Sequence, residues 1–147
     1  MSKSISKKII SWYCKYQRNL PWRNYKNLND KQYKVLVSEF MLQQTQVNTV
    51  IPFFNAFYKK YKNIQSLSKT SNTRILKSWQ GLGFYRRAKN LHATSKIICQ
   101  KHKGKIPSNY KELIMLPGVG DYTAKAILAI AFDLSLIHIS EPTRPSQ

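Results

Sequence analysis

Acidic side chains are scarce in this chain. Six Asp and Glu stand against 25 Lys and Arg in 147 residues, a formal net charge of +19. A soluble chain carries such an excess when its partner is a polyanion, either nucleic acid or an anionic membrane. The abundance of Lys, Asn and Ile is also what AT-rich coding produces, so part of the charge is background, and charge alone does not separate DNA from RNA. Cysteine is nearly absent. Cys14 and Cys99 lie far apart and fit no metal-ligand spacing, which excludes a disulfide framework; they are expected to be buried free thiols of a reducing cytoplasm. Long apolar runs are missing too, since none approaches the roughly 20 residues of a membrane-spanning helix. Residues 1–10 carry lysines without a continuous apolar core or a small-residue cleavage site, so they read as the start of a helix and not as a signal peptide. No period-two run is bounded by hairpin turns, which leaves no strand signal. There is no internal repeat and no linker, and the length allows one domain or one lobe of a larger one.

What is present is helical periodicity almost throughout. Ile5, Ile9, Trp12, Tyr13 and Tyr16 predict a first helix. Leu20-Pro21-Trp22-Arg23 breaks it, and a polar loop runs to Asp30. A second helix carries Tyr33, Val35, Leu36, Val37, Phe40 and Met41 and ends near Gln44 to Gln46. A third carries Val47, Val50, Ile51, Phe54, Phe57 and Tyr58, with Pro52 expected in its first turn, where proline is tolerated. Ser71 to Trp79 predicts a short helix capped by Ser71 or Asn72, Gly81-Leu82-Gly83 a turn, and Phe84 to Lys101 a long amphipathic helix stopped by Gly104 to Pro107. Ser108 is expected to cap the next helix, with Leu113 and Leu116 on its inner face. The fold class is therefore all-α.

Two motifs carry chemistry. In Leu116-Pro117-Gly118-Val119-Gly120-Asp121-Tyr122-Thr123-Ala124, Pro117 ends a helix, two glycines free the backbone, and a largely apolar helix follows. Its first N–H groups point outward and make a site for a phosphate. An ordinary helix–helix turn has the same punctuation. The second motif is Val37-Ser38-Glu39-Phe40-Met41-Leu42-Gln43-Gln44-Thr45-Gln46-Val47. One carboxylate sits in an apolar helix, where desolvation favours the protonated form and suits a general acid. Gln and Thr one turn later can bond base edges or fill the space of an extruded base. The plain alternative is a surface Glu paired with a lysine.

These blocks resemble the MutY family of adenine DNA glycosylases, within the helix-hairpin-helix superfamily that includes endonuclease III. The resemblance rests on Leu20 to Arg23, on Val37 to Val47 continuing to Thr49-Val50-Ile51-Pro52, on Trp79 to Tyr85 with Arg87 to His92, and on Leu116 to Phe132, in family order over residues 9–136. It implies a monofunctional base-excision-repair DNA N-glycosylase that removes adenine mispaired with 8-oxoguanine or guanine after flipping it from the duplex. Glu39 matches the glutamate that protonates adenine, and Tyr122 a position near a catalytic aspartate. Trp22, Arg23 and Leu42 match positions lining the adenine pocket. Gln44 and Thr45 match positions at the opposite strand. Phe84 stands where many members have a tyrosine beside 8-oxoguanine, and loses the hydroxyl. Gln43, Leu116, Gly118, Val119, Gly120 and Thr123 are assigned to DNA contact. Endonuclease III-type lyases have a lysine at the position of Tyr122, where the amine forms a Schiff base; Lys125 lies three residues further along and does not simply substitute.

The resemblance also implies parts not found here. The family's aspartate lies beyond the helix that ends near Phe132, and Asp133 is too early to take its role. The cysteine ligands of the family's 4Fe–4S cluster are absent from this chain, and no other metal is expected. Residues 1–136 read as a partial catalytic domain with an incomplete second lobe and iron-sulfur domain. The run Ile137 to Gln147 reads as a non-native tail, similar to translated adapter sequence. Little or no catalysis is expected of the chain as written. The implied partner is double-stranded DNA bearing A:8-oxoguanine or A:G mispairs, with no membrane, bound by a monomer at the nucleoid of the bacterial cytoplasm. The alternatives are an endonuclease III-like glycosylase for another base and a non-catalytic DNA-binding fragment.

Overall fold

A buried helix organises the molecule. In the computed structural model, which describes residues 20–134, α1 spans Leu28–Leu42. Asn27 caps it by accepting the Asp30 N–H at 2.9 Å, so the helix takes in Leu28 to Asp30, the end of the expected loop. Tyr33, Val35, Leu36, Val37, Phe40 and Met41 are all buried, and they leave every side of the helix. That is the pattern of a helix enclosed by others. The expected first helix at Ile5 to Tyr16, Cys14 and the tail 137–147 lie outside the described residues.

The enclosing elements are short. A 3₁₀ turn, Pro21–Arg23, precedes α1. Then come α2 (Val47–Lys60), α3 (Ile64–Lys69), α4 (Asn72–Ser78), α5 (Tyr85–Lys101), α6 (Tyr110–Ile114) and α7 (Asp121–Ala131). α1 packs on α2, α5, α7 and the 3₁₀ turn, while α5 packs on α3 and α4. Among the described residues there is no strand, and no helix is long and apolar enough to cross a membrane.

Three local expectations need correction. Pro52 lies inside α2 and past its first turn, since the helix begins at Val47. The ring deletes the bond it would have given the Asn48 carbonyl, at a place where Pro52 and Asn48 are both exposed. The cap of α6 is Asn109 and not Ser108: its side chain accepts the Glu112 N–H at 2.9 Å. Cys99 is half-buried, with Sγ 3.8 Å from the Ile64 carbonyl. The helix α3 went unforeseen. It is one and a half turns long, held by a capping box between Asn63 and Ser66 and by the burial of Ile64 and Leu67.

The core is aromatic at its corners. Trp22 meets Phe54 edge-on at 5.2 Å, and Trp79 meets Phe57 at 5.8 Å. The inner stripe of α5 holds Ala88, Leu91, Ser95 and Ile98, and beside them His92, whose Nδ1 is 2.9 Å from Asn72 Oδ1. Burial, then the charge of Lys96, lowers the His92 pKa. The neutral ring therefore belongs to the folded state. Below about pH 6.5 the unfolded chain takes up a proton that the folded chain refuses. Stability should be intact above that pH and fall as pH drops, by up to about 1.4 kcal/mol per unit. Melting temperatures of the wild type and His92→Gln between pH 7.5 and 5.5 check this; parallel curves would remove His92 from the acid response.

Candidate active site

Glu39 sits one turn before the end of α1, and only 2% of it is exposed. Its buried neighbours along the helix are mostly apolar, Val35, Leu36, Phe40 and Met41, with Ser38 beside it. The next feature along the chain is the Gln43-Gln44-Thr45 turn, in which the Thr45 N–H returns to the Leu42 carbonyl at 3.2 Å. Glu39 and the Gln43–Thr45 turn therefore lie at the same end of α1.

The hairpin reaches the same end of α1. Leu116 N–H donates to Leu113 O at 3.0 Å and Val119 N–H to Leu116 O at 3.1 Å, closing the turn. Gln43 then ties it to α1: its amide nitrogen donates to the Gly118 carbonyl at 3.1 Å and to Thr123 Oγ1 at 3.3 Å. Thr94, from α5, donates to the Pro117 carbonyl at 2.8 Å. Gly118 has φ +80°, and a Cβ there would stand 2.8 Å from Asn90 Cβ and 2.9 Å from Phe40 Cε2. The backbone approach that excludes any side chain at 118 is therefore to α1 and α5, beneath the hairpin.

Gly120 differs. It is the N-cap of α7, with φ −99° and no side-chain cap, and a Cβ there would meet nothing within 4 Å. The first N–H groups of α7 open into that space. Leu116 and Val119 do not present side chains to it, being 3% and 6% exposed, and the Val119 N–H is already bonded. Thr123 is buried, its hydroxyl receiving Gln43. Of the residues assigned to DNA contact, Gly118 and Gly120 are exposed and Gln43 is half-buried, so the hairpin backbone and position 120 are open to an incoming phosphate.

Tyr122 occupies the first turn of α7 and is partly exposed. Its pKa is pushed up to about 12, first by burial and then by the Glu39 carboxylate, which places the two side chains in the same electrostatic neighbourhood. Lys125 is paired, its Nζ 3.4 Å from Asp121. Asp121 also accepts the Tyr110 hydroxyl at 2.5 Å. Asp133 is remote: it holds Lys31 Nζ at 2.9 Å, eight residues before Glu39, which is about 12 Å along the helix.

The remaining assignments divide. Gln44 and Phe84 are exposed, Leu42, Thr45 and Arg23 half-buried. Trp22 is 1% exposed and packed on Phe54. It is part of the core wall at the start of α1. The guanidinium of Arg87, which the sequence reading passed over, is the missed element. It is buried on α5 and donates to the carbonyls of Met41 and Gln43, each at 2.5 Å, and of Gly83 at 3.0 Å. The available signal was its register: Arg87 lies on the stripe continued by Leu91, Thr94 and Ile98, where a charge needs partners.

No cluster-binding constellation fits these residues. A 4Fe–4S cluster takes four thiolates, and the chain has two cysteines. Among the described residues no group of three His, Cys, Asp or Glu can hold a metal.

Comparison with known proteins bears on the family and the fold. A family model described as HhH-GPD superfamily base excision DNA repair protein matches residues 37–145. The adenine DNA glycosylase of Buchnera aphidicola subsp. Baizongia pistaciae is 48% identical over 127 residues, 86% of this chain and 35% of that protein. The adenine DNA glycosylase of Rattus norvegicus is 40% identical over 88% of this chain and 26% of its own length. The chain thus spans roughly a third or less of these relatives. A thermostable thymine-DNA glycosylase superposes with a TM-score of 0.70 at 28% identity, covering 90% of this chain and 59% of that one. An endonuclease III trapped covalently on DNA gives 0.69 at 19% identity, over 89% and 59%, a likeness of fold.

Proposed function

The chain belongs to the HhH-GPD superfamily of base excision DNA repair proteins, and on that premise we propose that it carries the DNA-docking and base-protonating side of a monofunctional adenine DNA glycosylase. The observation that carries this is Glu39, buried in an apolar helix, with its charge felt at a tyrosine, not an amine, in the first turn of α7. A desolvated carboxyl can deliver a proton to a flipped adenine and improve it as a leaving group. A phenol cannot form the Schiff base that lyases need.

The other parts fall into place around that step. The hairpin and Gly120 present N–H groups to a backbone phosphate. Asp121 at the same mouth is engaged by Tyr110 and Lys125, which blunts its repulsion. On this reading Leu42 and Arg23 line the pocket that takes the adenine. Gln44, Thr45 and Phe84 face the strand opposite the adenine, where 8-oxoguanine or guanine would lie. The iron-sulfur cluster of the family enters no step, because these residues offer it no ligand set. On this reading the protein is a monomer working on the bacterial nucleoid.

Two measurements test it. Duplex affinity should fall linearly with the logarithm of salt, with a slope of about −0.9 per phosphate contacted. Duplexes with A opposite 8-oxoguanine or G should bind more tightly than the same sequence with A:T or with an oxidised pyrimidine. Preferential binding or release of the oxidised pyrimidine would overturn the adenine assignment; a salt-independent affinity would overturn DNA docking altogether.

A further inference from the structure

Two exposed residues beside the site hold a backbone conformation that ordinary side chains avoid. Gln44 has φ +61° and Phe84 φ +52°. For a residue as bulky as phenylalanine this is an outlier, and such strain persists only where the surroundings fix it. One side chain touches both segments. Arg87 Nη1 donates to the carbonyls of Met41 and Gln43, each at 2.5 Å, and more loosely to Phe40 at 3.4 Å. Its Nη2 donates to Gly83 at 3.0 Å, and its Nε to the Phe84 carbonyl at 3.4 Å. The same guanidinium lies 5.2 Å from the Phe84 ring centre.

The carbonyls of Phe40, Met41 and Gln43 belong to the last turn of α1, the negative end of its dipole, where a cation is favoured. The Gly83 and Phe84 carbonyls belong to the other loop. We propose that Arg87 is a positioning residue that locks the Gln43–Thr45 turn and the Phe84 loop into a single surface, so that the side chains of Gln44 and Phe84 meet the base opposite the excised one at a fixed spacing. This rests on the glycosylase reading for what that surface meets, but not for the clasp itself.

The planar fork is what the geometry needs. Lysine brings the same charge to the helix end as a point donor, and cannot span carbonyls of two loops at once. Arg87→Lys therefore separates charge from clasp. In the full chain, the ratio of affinities for A:8-oxoguanine over A:T duplexes should drop by about tenfold in Arg87→Lys, the worth of one good base-edge contact. A purely structural role would lower both affinities together and keep the ratio. Hydrogen exchange gives a readout free of the functional reading: the Thr45 amide should exchange about tenfold faster in the variant, while the Val119 and Ala124 amides of the hairpin keep their rates. An unchanged ratio in a wild type that discriminates, or unchanged Thr45 exchange, overturns the proposal. If the wild type shows no mispair preference, it is the glycosylase reading that fails, and the exchange result still decides the clasp.

Discussion

Alanine at Gly118 is expected to destabilise the chain by about 2–5 kcal/mol, the sum of a left-handed non-glycine residue and an overpacked contact. The new methyl would stand 2.8 Å from Asn90 Cβ and 2.9 Å from Phe40 Cε2, and neither neighbour is a free end. Asn90 Cβ is fixed to the α5 backbone, and Phe40 is wholly buried on α1. The hairpin would have to lift, and it carries with it the Gln43 and Thr94 bonds to the Gly118 and Pro117 carbonyls. Weaker DNA binding by this variant would therefore not locate the phosphate. Gly120→Ala does locate it. That position has an ordinary φ and open space, so the fold should change by no more than about 1 kcal/mol, the N-cap difference. The methyl would nonetheless stand where a phosphate meets the first N–H groups of α7. Duplex affinity should fall several-fold for all sequences alike, with an unchanged melting temperature. Affinity untouched by Gly120→Ala would place the phosphate elsewhere, and a stable Gly118→Ala would mean the hairpin stands off α1 and α5.

The contrast between the two glycines marks what a sequence can carry. Both were legible as backbone freedom in Leu116-Pro117-Gly118-Val119-Gly120. Only the structure says that one freedom serves packing against α1 and α5 while the other serves access. Glu39 was legible because a lone carboxylate in an apolar helix breaks the pattern of its surroundings, and Tyr122 because it stands in a motif. The long helices were legible from periodicity. The helix α3 was not, since six residues give no period to read, and its capping pair is Asn63 with Ser66 and not the usual Ser or Thr with Glu. Ser108 and Asn109 are adjacent and equally good caps; the choice between them is set by how α6 seats Leu113 in the core. Arg87 was hidden for another reason. Its partners are carbonyls, which every residue has, so no pairing of residue types betrays it.

The second large effect is a change of chemistry at position 122. Tyr122→Lys should make the chain trap an abasic duplex under borohydride, where the wild type gives only background. The reasoning starts from the site and not from the nucleophile. Burial is the larger of the two causes that push the Tyr122 pKa up to about 12, and burial acts on a lysine in the opposite sense, favouring the neutral amine. The Glu39 carboxylate opposes this. A lysine whose pKa falls by one unit offers about tenfold more free amine at neutral pH than one on the surface, and the adduct should rise accordingly. That margin matters in a chain with 19 lysines, because every exposed lysine contributes some background imine. The amine adds to the sugar aldehyde, water leaves, and hydride from borohydride fixes the carbon–nitrogen bond, so no base release is needed for the readout. The abasic duplex thus examines the placement of position 122 independently of whether Glu39 protonates anything. Trapping above background would fix the sugar within reach of the first turn of α7, on the same side as the hairpin. Trapping no greater than wild type, in a variant that still folds and binds duplex, would mean that the sugar never comes to Tyr122, and Glu39 could not then be facing the base.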